Sequence, residues 1–127
     1  MNLTEILDHS TYKLLPDLYS IAKINSDFEI SDAFMISQDD AEVTAIYKEG
    51  VVFGGVIEEK KHYRLIAVNV AIPFYSPGFI ATITQALAAK SISVLVVSTY
   101  SRDYFIVSSK DICQAIDEIR KLGIKEQ

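Results

Sequence analysis

Residues 65–107 read LIAVNVAIPFYSPGFIATITQALAAKSISVLVVSTYSRDYFIV, and the order of elements in this stretch decides the fold. Leu65 to Ile72 is an apolar run of strand length. Pro73 ends it, because proline has no N–H to give to a ladder. Pro77 suits the first position of a helix, where a missing N–H costs nothing. Phe79, Ile83, Ala86 and Leu87 then fall on one helical face, and the helix is expected to end near Lys90. Ile92 to Tyr100 reads as a second strand, with Ile92, Val94, Val96 and Ser98 facing one way. Ser101-Arg102 reads as a tight turn, and Tyr104 to Val107 as the returning strand. Beyond the quoted stretch, Ser109 is the expected N-cap of a second helix, with Asp111 in its first turn. Ile112, Ala115, Ile116 and Ile119 form that helix's apolar stripe, and Gly123 is its stop.

The order β-α-β-β-α is most of a ferredoxin-like βαββαβ unit, an α+β fold with helices on one face of an antiparallel sheet. Only Ile124 to Gln127 follow Gly123, so the last strand is missing, and a strand from the first half is expected to fill the edge. That first half reads mostly as strands. Met1 to Ser10 is a short helix or a tail. Tyr12 to Leu15 and Leu18 to Ile24 are strands flanking Pro16-Asp17, and Ala33 to Ser37 is a third. Residues 25–32 and 38–40 are turn-like. Glu42 to Tyr47 alternates at strand period. Residues 51–57, with Gly54-Gly55, form a bent segment, and Glu58 to His62 a charged loop. The expected division is residues 1–64, a partial unit of mostly strands, and residues 65–127.

Charge follows the same division. The first 64 residues carry 6 basic and 12 acidic side chains, the remaining 63 carry 6 and 5. A net charge of −5 argues against a nucleic-acid partner held through phosphates, which needs a basic stripe. The lone cysteine, Cys113, excludes an internal disulfide and any multi-cysteine metal site, and reads as a small core residue. Asp39, Asp40 and Glu42 are too few for a hard cation, and His9 and His62 lack metal-ligand spacing. No metal and no cofactor is expected. Leu65 to Ala89 holds no charge, but Pro73, Pro77 and Gly78 break it below the ~20 residues of a spanning helix. No signal peptide is read at the N-terminus, so a cytoplasmic protein away from membranes is expected. No Walker loop, G-x-S-x-G, GxGxxG or HExxH occurs, and no enzymatic activity is expected.

Three segments carry a resemblance. They are Ser76-Pro77-Gly78-Phe79-Ile80-Ala81, Ser91 to Tyr100 followed by Arg102-Asp103-Tyr104, and Asp40 to Ile46. Residues 65–122 resemble the ACT domain, a ferredoxin-like module that senses small molecules. The wider chain resembles the short ACT-like proteins related to aspartate kinase regulatory regions, and the halves of the cytosolic arginine sensor CASTOR. The resemblance implies a non-catalytic regulatory or sensor protein that binds an amino acid at an interface between two ACT units. A ligand-free dimerisation or protein-interaction module is the alternative. The site it implies comprises Ser76, Gly78, Phe79, Ile80, Thr99, Tyr100 and Asp103. A helix N-terminus welcomes a carboxylate, since its N–H groups are free and its dipole is positive. Pro77 gives no donor, leaving Gly78, Phe79 and Ile80. Asp103 would pair with an amino or basic group, Thr99 offers a hydroxyl, and Tyr100 an aromatic wall. Gly78 equally serves the turn into the helix, and Asp103 equally caps a hairpin. Ser76 stands where the arginine sensor has an acidic residue, which bears on arginine selectivity and not on amino-acid binding as a class. The doubly apolar strand 92–100, with Leu95 and Val97 beside Val94 and Val96, suggests a covered second face and a homodimer.

Overall fold

The computed structural model describes residues 1–27, 32–51 and 54–127. Part of the turn expected at 25–32 and part of the bent segment at 51–57 lie outside the described residues. In chain order the elements are α1 (Leu3–His9), β1 (Thr11–Leu14), β2 (Tyr19–Ile24), β3 (Met35–Gln38), β4 (Val43–Lys48), β5 (Val56–Asn69), α2 (Phe79–Ala88), β6 (Leu95–Ser98), β7 (Arg102–Ser108), α3 (Ile112–Lys121) and β8 (Lys125–Glu126). They divide into two compact units, Met1–Leu15 with Arg64–Gln127, and Pro16–Tyr63.

The larger unit is the expected ferredoxin-like arrangement with one strand inserted. β6 pairs with β7 and β7 with β5. β1 then lies antiparallel to β5, with Thr11 opposite Asn69 and Leu14 opposite Ile66. On its other edge β1 runs parallel to β8, Thr11 opposite Lys125. The last strand is thus present after all, two residues long, and the strand from the first half sits between it and β5. Arg120 of α3 holds this end together: its Nε donates to the Tyr12 hydroxyl at 2.6 Å and its Nη2 to Glu126 at 3.1 Å. Residues 1–15 therefore belong with the second half of the chain.

Both helices are short, and a ten-residue helix is marginal alone in water. Their buried stripes hold them. Phe79, Ile83 and Leu87 of α2 and Ala115 and Ile119 of α3 pack with Ile66, Val68, Phe105 and Val107 of the sheet and with Ile6 and Leu7 of α1. Each large side chain buried this way contributes about 1.5–3 kcal/mol. Four local expectations shift. α2 begins at Phe79, two residues after Pro77. Ser109–Asp111 forms a 3₁₀ turn, so α3 starts at Ile112, after Asp111. Only Leu95–Ser98 of the stretch 92–100 pairs as strand, and β5 ends at Asn69, before Pro73. Cys113 is exposed, because it precedes the buried Ala115 by two residues and so faces away from the stripe.

In the smaller unit, β2 pairs with β4 from Tyr19–Lys48 to Ile24–Val43, and β3 with β4. Ala22, Ile24, Val43, Ala45 and Tyr47 share one face and form its core. Asp39 closes the turn before β4 by accepting the N–H groups of Ala41 and Glu42, both at 2.8 Å. Residues 58–62, expected as a loop, are strand: Glu58, Glu59 and Lys60 face Lys23, Ala22 and Ile21 of β2. The ladder uses backbone groups, so a charged run can join it when its side chains face water, and such charges protect an end strand from further pairing. The register slips between Tyr19 and Ile21, where His62 takes φ +70 and sets its Nδ1 2.9 Å from Glu49.

Two outcomes are expected. Gly123 has φ +102, and a Cβ there would run into the Asp8 carboxylate of α1. Gly123→Ala should lower the denaturant midpoint by the equivalent of about 1–2 kcal/mol or more. Gly54→Ala, where a Cβ meets nothing within 4 Å, should not. The Tyr47 hydroxyl donates to Glu59 at 3.0 Å, and burial followed by that bond pushes its pKa up to about 12. The folded state thus favours the neutral phenol. This stabilisation is full below the ordinary tyrosine value of ~10 and is lost as pH rises through about 12. Comparing tyrosinate absorbance titrations of the native chain and Tyr47→Phe should show one group ionising near that upper value.

Candidate functional site

The residues that follow β5 do not continue as strand. Val70 donates its N–H to the Ser101 carbonyl at 3.4 Å, which draws the loop 70–78 against the β6–β7 turn. Between loop, turn and the start of α2 lies a cavity of about 210 Å³. The loop contributes Ile72, Phe74 and Ser76, the helix Phe79 and Ile80, and the hairpin Ser98, Thr99, Tyr100 and Asp103. Six of the seven residues proposed from the sequence meet here. Gly78 is not among the residues that line the cavity.

Gly78 serves the approach to the helix. Its φ of +85 and ψ of −3 are those of the third residue in a type II turn, with Pro77 before it. Phe79 closes the turn, its N–H donating to the Ser76 carbonyl at 3.1 Å. Pro77 therefore sits in the turn ahead of the helix and not at its first position. The N–H of Phe79, expected to be free for a ligand, is taken. The Ser76 hydroxyl donates to the Ile72 carbonyl and closes the loop on itself.

The hairpin is one residue out from its expected turn. Ser98 faces Asp103 across the ladder, and Thr99 N–H donates to the Arg102 carbonyl at 2.8 Å. The two turn residues are thus Tyr100 and Ser101. That shift moves Asp103 out of the turn and onto β7, where it is only 9% exposed. Its Oδ1 accepts the Ser98 hydroxyl at 2.7 Å. The Thr99 hydroxyl also reaches the Arg102 carbonyl, at 3.3 Å. Tyr100, 79% exposed, sets its ring edge-on to Phe74, with centroids 4.8 Å apart and planes at 75°.

Ser98, Phe74 and Arg102 are among the contributors that were not foreseen. Counting the turn as Tyr100-Ser101 would have placed Ser98 opposite Asp103. Phe74 carries no sequence signal, because its place depends on how the loop folds back. Arg102 donates through Nε to Asn69 Oδ1 at 2.7 Å and through Nη1 to the Tyr104 hydroxyl at 3.4 Å. Asn69 in turn donates to Thr11 and Gln127, at 3.1 and 2.9 Å. Arg102 thus ties the hairpin to β5, β1 and the C-terminus. Among the described residues no histidine lines the cavity, and no group of three metal-ligating side chains occurs. The cavity offers one buried carboxylate, an apolar wall and the first turn of a helix. Those are the parts of a binding site.

The ACT domain family model matches residues 58–121. No curated protein matches the chain in sequence. Among solved structures, a protein of Agrobacterium tumefaciens superposes with a TM-score of 0.78 at 20% identity, over 93% of this chain and 92% of that one. A Vibrio cholerae protein of unknown function, described as a possible transport protein, gives 0.75 at 18%, over 95% of each. The ligand-free regulatory subunit of aspartate kinase from Thermus thermophilus gives 0.66 at 11%, over 87% and 95%. At these identities the likeness is one of fold. Among the described residues, no helix is long and apolar enough to cross a membrane.

A Cβ on Gly78 would touch only Leu3, at an ordinary 3.5 Å, so replacing this glycine tests its backbone alone. Gly78→Ala should cost about 1–2 kcal/mol in a denaturant titration.

Proposed function

Because the chain belongs to the ACT domain family, we propose that it is a non-catalytic regulatory or sensor module that binds an amino acid in the cavity at Asp103. A second ACT unit, that of another copy of the chain, completes the site. The observation that carries this reading is the gathering of Phe79, Ile80, Thr99, Tyr100 and the buried Asp103 around one cavity. Among the described residues Asp103 has one side-chain partner, the Ser98 hydroxyl; such a buried carboxylate favours an ammonium group, since a buried charge needs an opposite charge or several hydrogen bonds. The first turn of α2 lies beside it and suits the ligand's carboxylate. The cavity is smaller than the roughly 300–1,000 Å³ of drug-sized sites, as fits a small metabolite.

The surface around the cavity supports an interface. Phe74, Tyr75 and Tyr100 are all more than two-thirds exposed, and Leu95 on β6 is 49% exposed. Exposed aromatic side chains in one patch mark association surfaces. Among the described residues β6 pairs only with β7, so its outer edge offers backbone groups to a partner. A ligand touching two units would favour one arrangement of them, which is how binding would become a signal. A cytoplasmic setting, where free amino acids report metabolic state, suits such a sensor.

A second reading, a dimerisation or protein-interaction module without a ligand, draws on the hydroxyls of Ser76 and Thr99, both already spent on backbone carbonyls. Light scattering should give about twice the 14.2 kDa of one chain under either reading. Thermal shift and calorimetry across the standard amino acids separate them. A ligand at one hundred times its dissociation constant should add about 2.7 kcal/mol of stability. Asp103→Asn, which keeps the shape and an acceptor for Ser98, should abolish the effect. A folded dimer that binds no amino acid at millimolar concentration would leave the interaction module in its place.

A further inference from the structure

The same cavity carries information about which side chain its ligand has. We propose that it selects a small amino acid with a neutral, apolar side chain, seated beneath the Phe74–Tyr100 pair, which acts as its cover. This rests on the amino-acid reading above and adds the class of ligand.

The charge inventory comes first. Two charged residues line the cavity, Arg102 and Asp103. They are neighbours on β7, so their side chains leave opposite faces of the sheet. Asp103 shares its face with Phe105 and Val107, which pack against the helices. Arg102 leaves on the other face and spends Nε and Nη1 on Asn69 and Tyr104. One carboxylate therefore serves the ligand. Once the α-ammonium takes it, no second acid remains for a basic side chain, and an acidic one would sit beside the same carboxylate. A charge buried without a partner is costly.

The remaining wall is apolar: Val70, Ile72, Pro73, Phe79 and Ile80. Val70 and Ile72 are continuous with the main core, so a side chain lying there extends that core. The two aromatic rings join the sides of the cavity, since Phe74 belongs to the loop and Tyr100 to the hairpin turn. Phe74 holds φ +68, a conformation that bulky residues rarely adopt, while 71% exposed. An exposed phenylalanine gains little burial from that backbone. What it gains is the edge-to-face contact with Tyr100, and both rings line the cavity. Departures of this kind cluster at ligand clamps.

Calorimetry on the full chain tests the proposal with valine, leucine and isoleucine against lysine, arginine, aspartate and glutamate. The apolar group should bind at least ten-fold tighter than the charged group. Phe74→Ala removes an exposed ring and leaves the core intact; it should weaken leucine several-fold and narrow the gap between the groups. Ile80→Asp, an acid in a helix first turn where acids are tolerated, should move the preference toward lysine and arginine. Charged amino acids binding as tightly as apolar ones would overturn the proposal while leaving an amino-acid site standing. Unchanged leucine affinity in Phe74→Ala would remove the cover. Binding of no amino acid would overturn both readings.

Discussion

The seating of β1 between β5 and β8 is the constraint on which the larger unit depends. β8, the strand that follows α3, is two residues long and pairs with β1, not with β5. β5 would otherwise present the backbone groups of Ile66 to Asn69 along an open edge, and unpaired groups of that kind are costly when buried and hazardous when exposed. Thr11–Leu14 takes that edge in antiparallel register. It also brings Tyr12 into the core, where the ring is buried and its hydroxyl accepts from Arg120. α1 follows from the same placement: Ile6 and Leu7 reach the core, and the Ser10 hydroxyl accepts the N–H of Ala71 at 3.0 Å. The N-terminal segment thus braces the loop that begins at Val70.

That brace matters for the cavity. Loop 70–78 has no ladder of its own, yet it forms one wall of the cavity. It is held at its start by Val70 on the Ser101 carbonyl and Ala71 on the Ser10 hydroxyl, and at its end by the type II turn at Pro77-Gly78. The opposite wall is a two-residue hairpin, whose register alone decides that Asp103 faces Ser98 and the core face of the sheet. Arg102, one residue earlier, faces the other way and binds the hairpin to Asn69. A one-residue slip would exchange these two faces. Which of these side chains shares a face with the core is therefore set by hairpin register.

Much of this was legible in the residues. The helices at 79–88 and 112–121, the hairpin, the stop at Gly123 and the ferredoxin-like order follow from periodicity and turn chemistry. Of the residues that the resemblance implies, six line one cavity and Gly78 does not. Three things were obscured. The charge of Glu58 to His62 hid a strand whose ladder is made by backbone. The apolar run 92–100 promised more strand than the four residues that pair. Cys113 looked like core by residue type but stands off the buried stripe.

What the sequence by itself determined is local: where the chain turns, which face of each helix is apolar, which proline and glycine shape the entry to α2. Those features depend on neighbours within a few residues, and side-chain type is enough to express them. What only the tertiary structure decided is which strand lies beside which, that residues 1–15 complete the second half's sheet, and that Phe74 and Tyr100 meet and line one cavity with Asp103. Strand pairing is made by backbone groups common to every residue, so residue type does not name the partner. A cavity formed between the loop after β5 and the β6–β7 turn exists only once that pairing has been made.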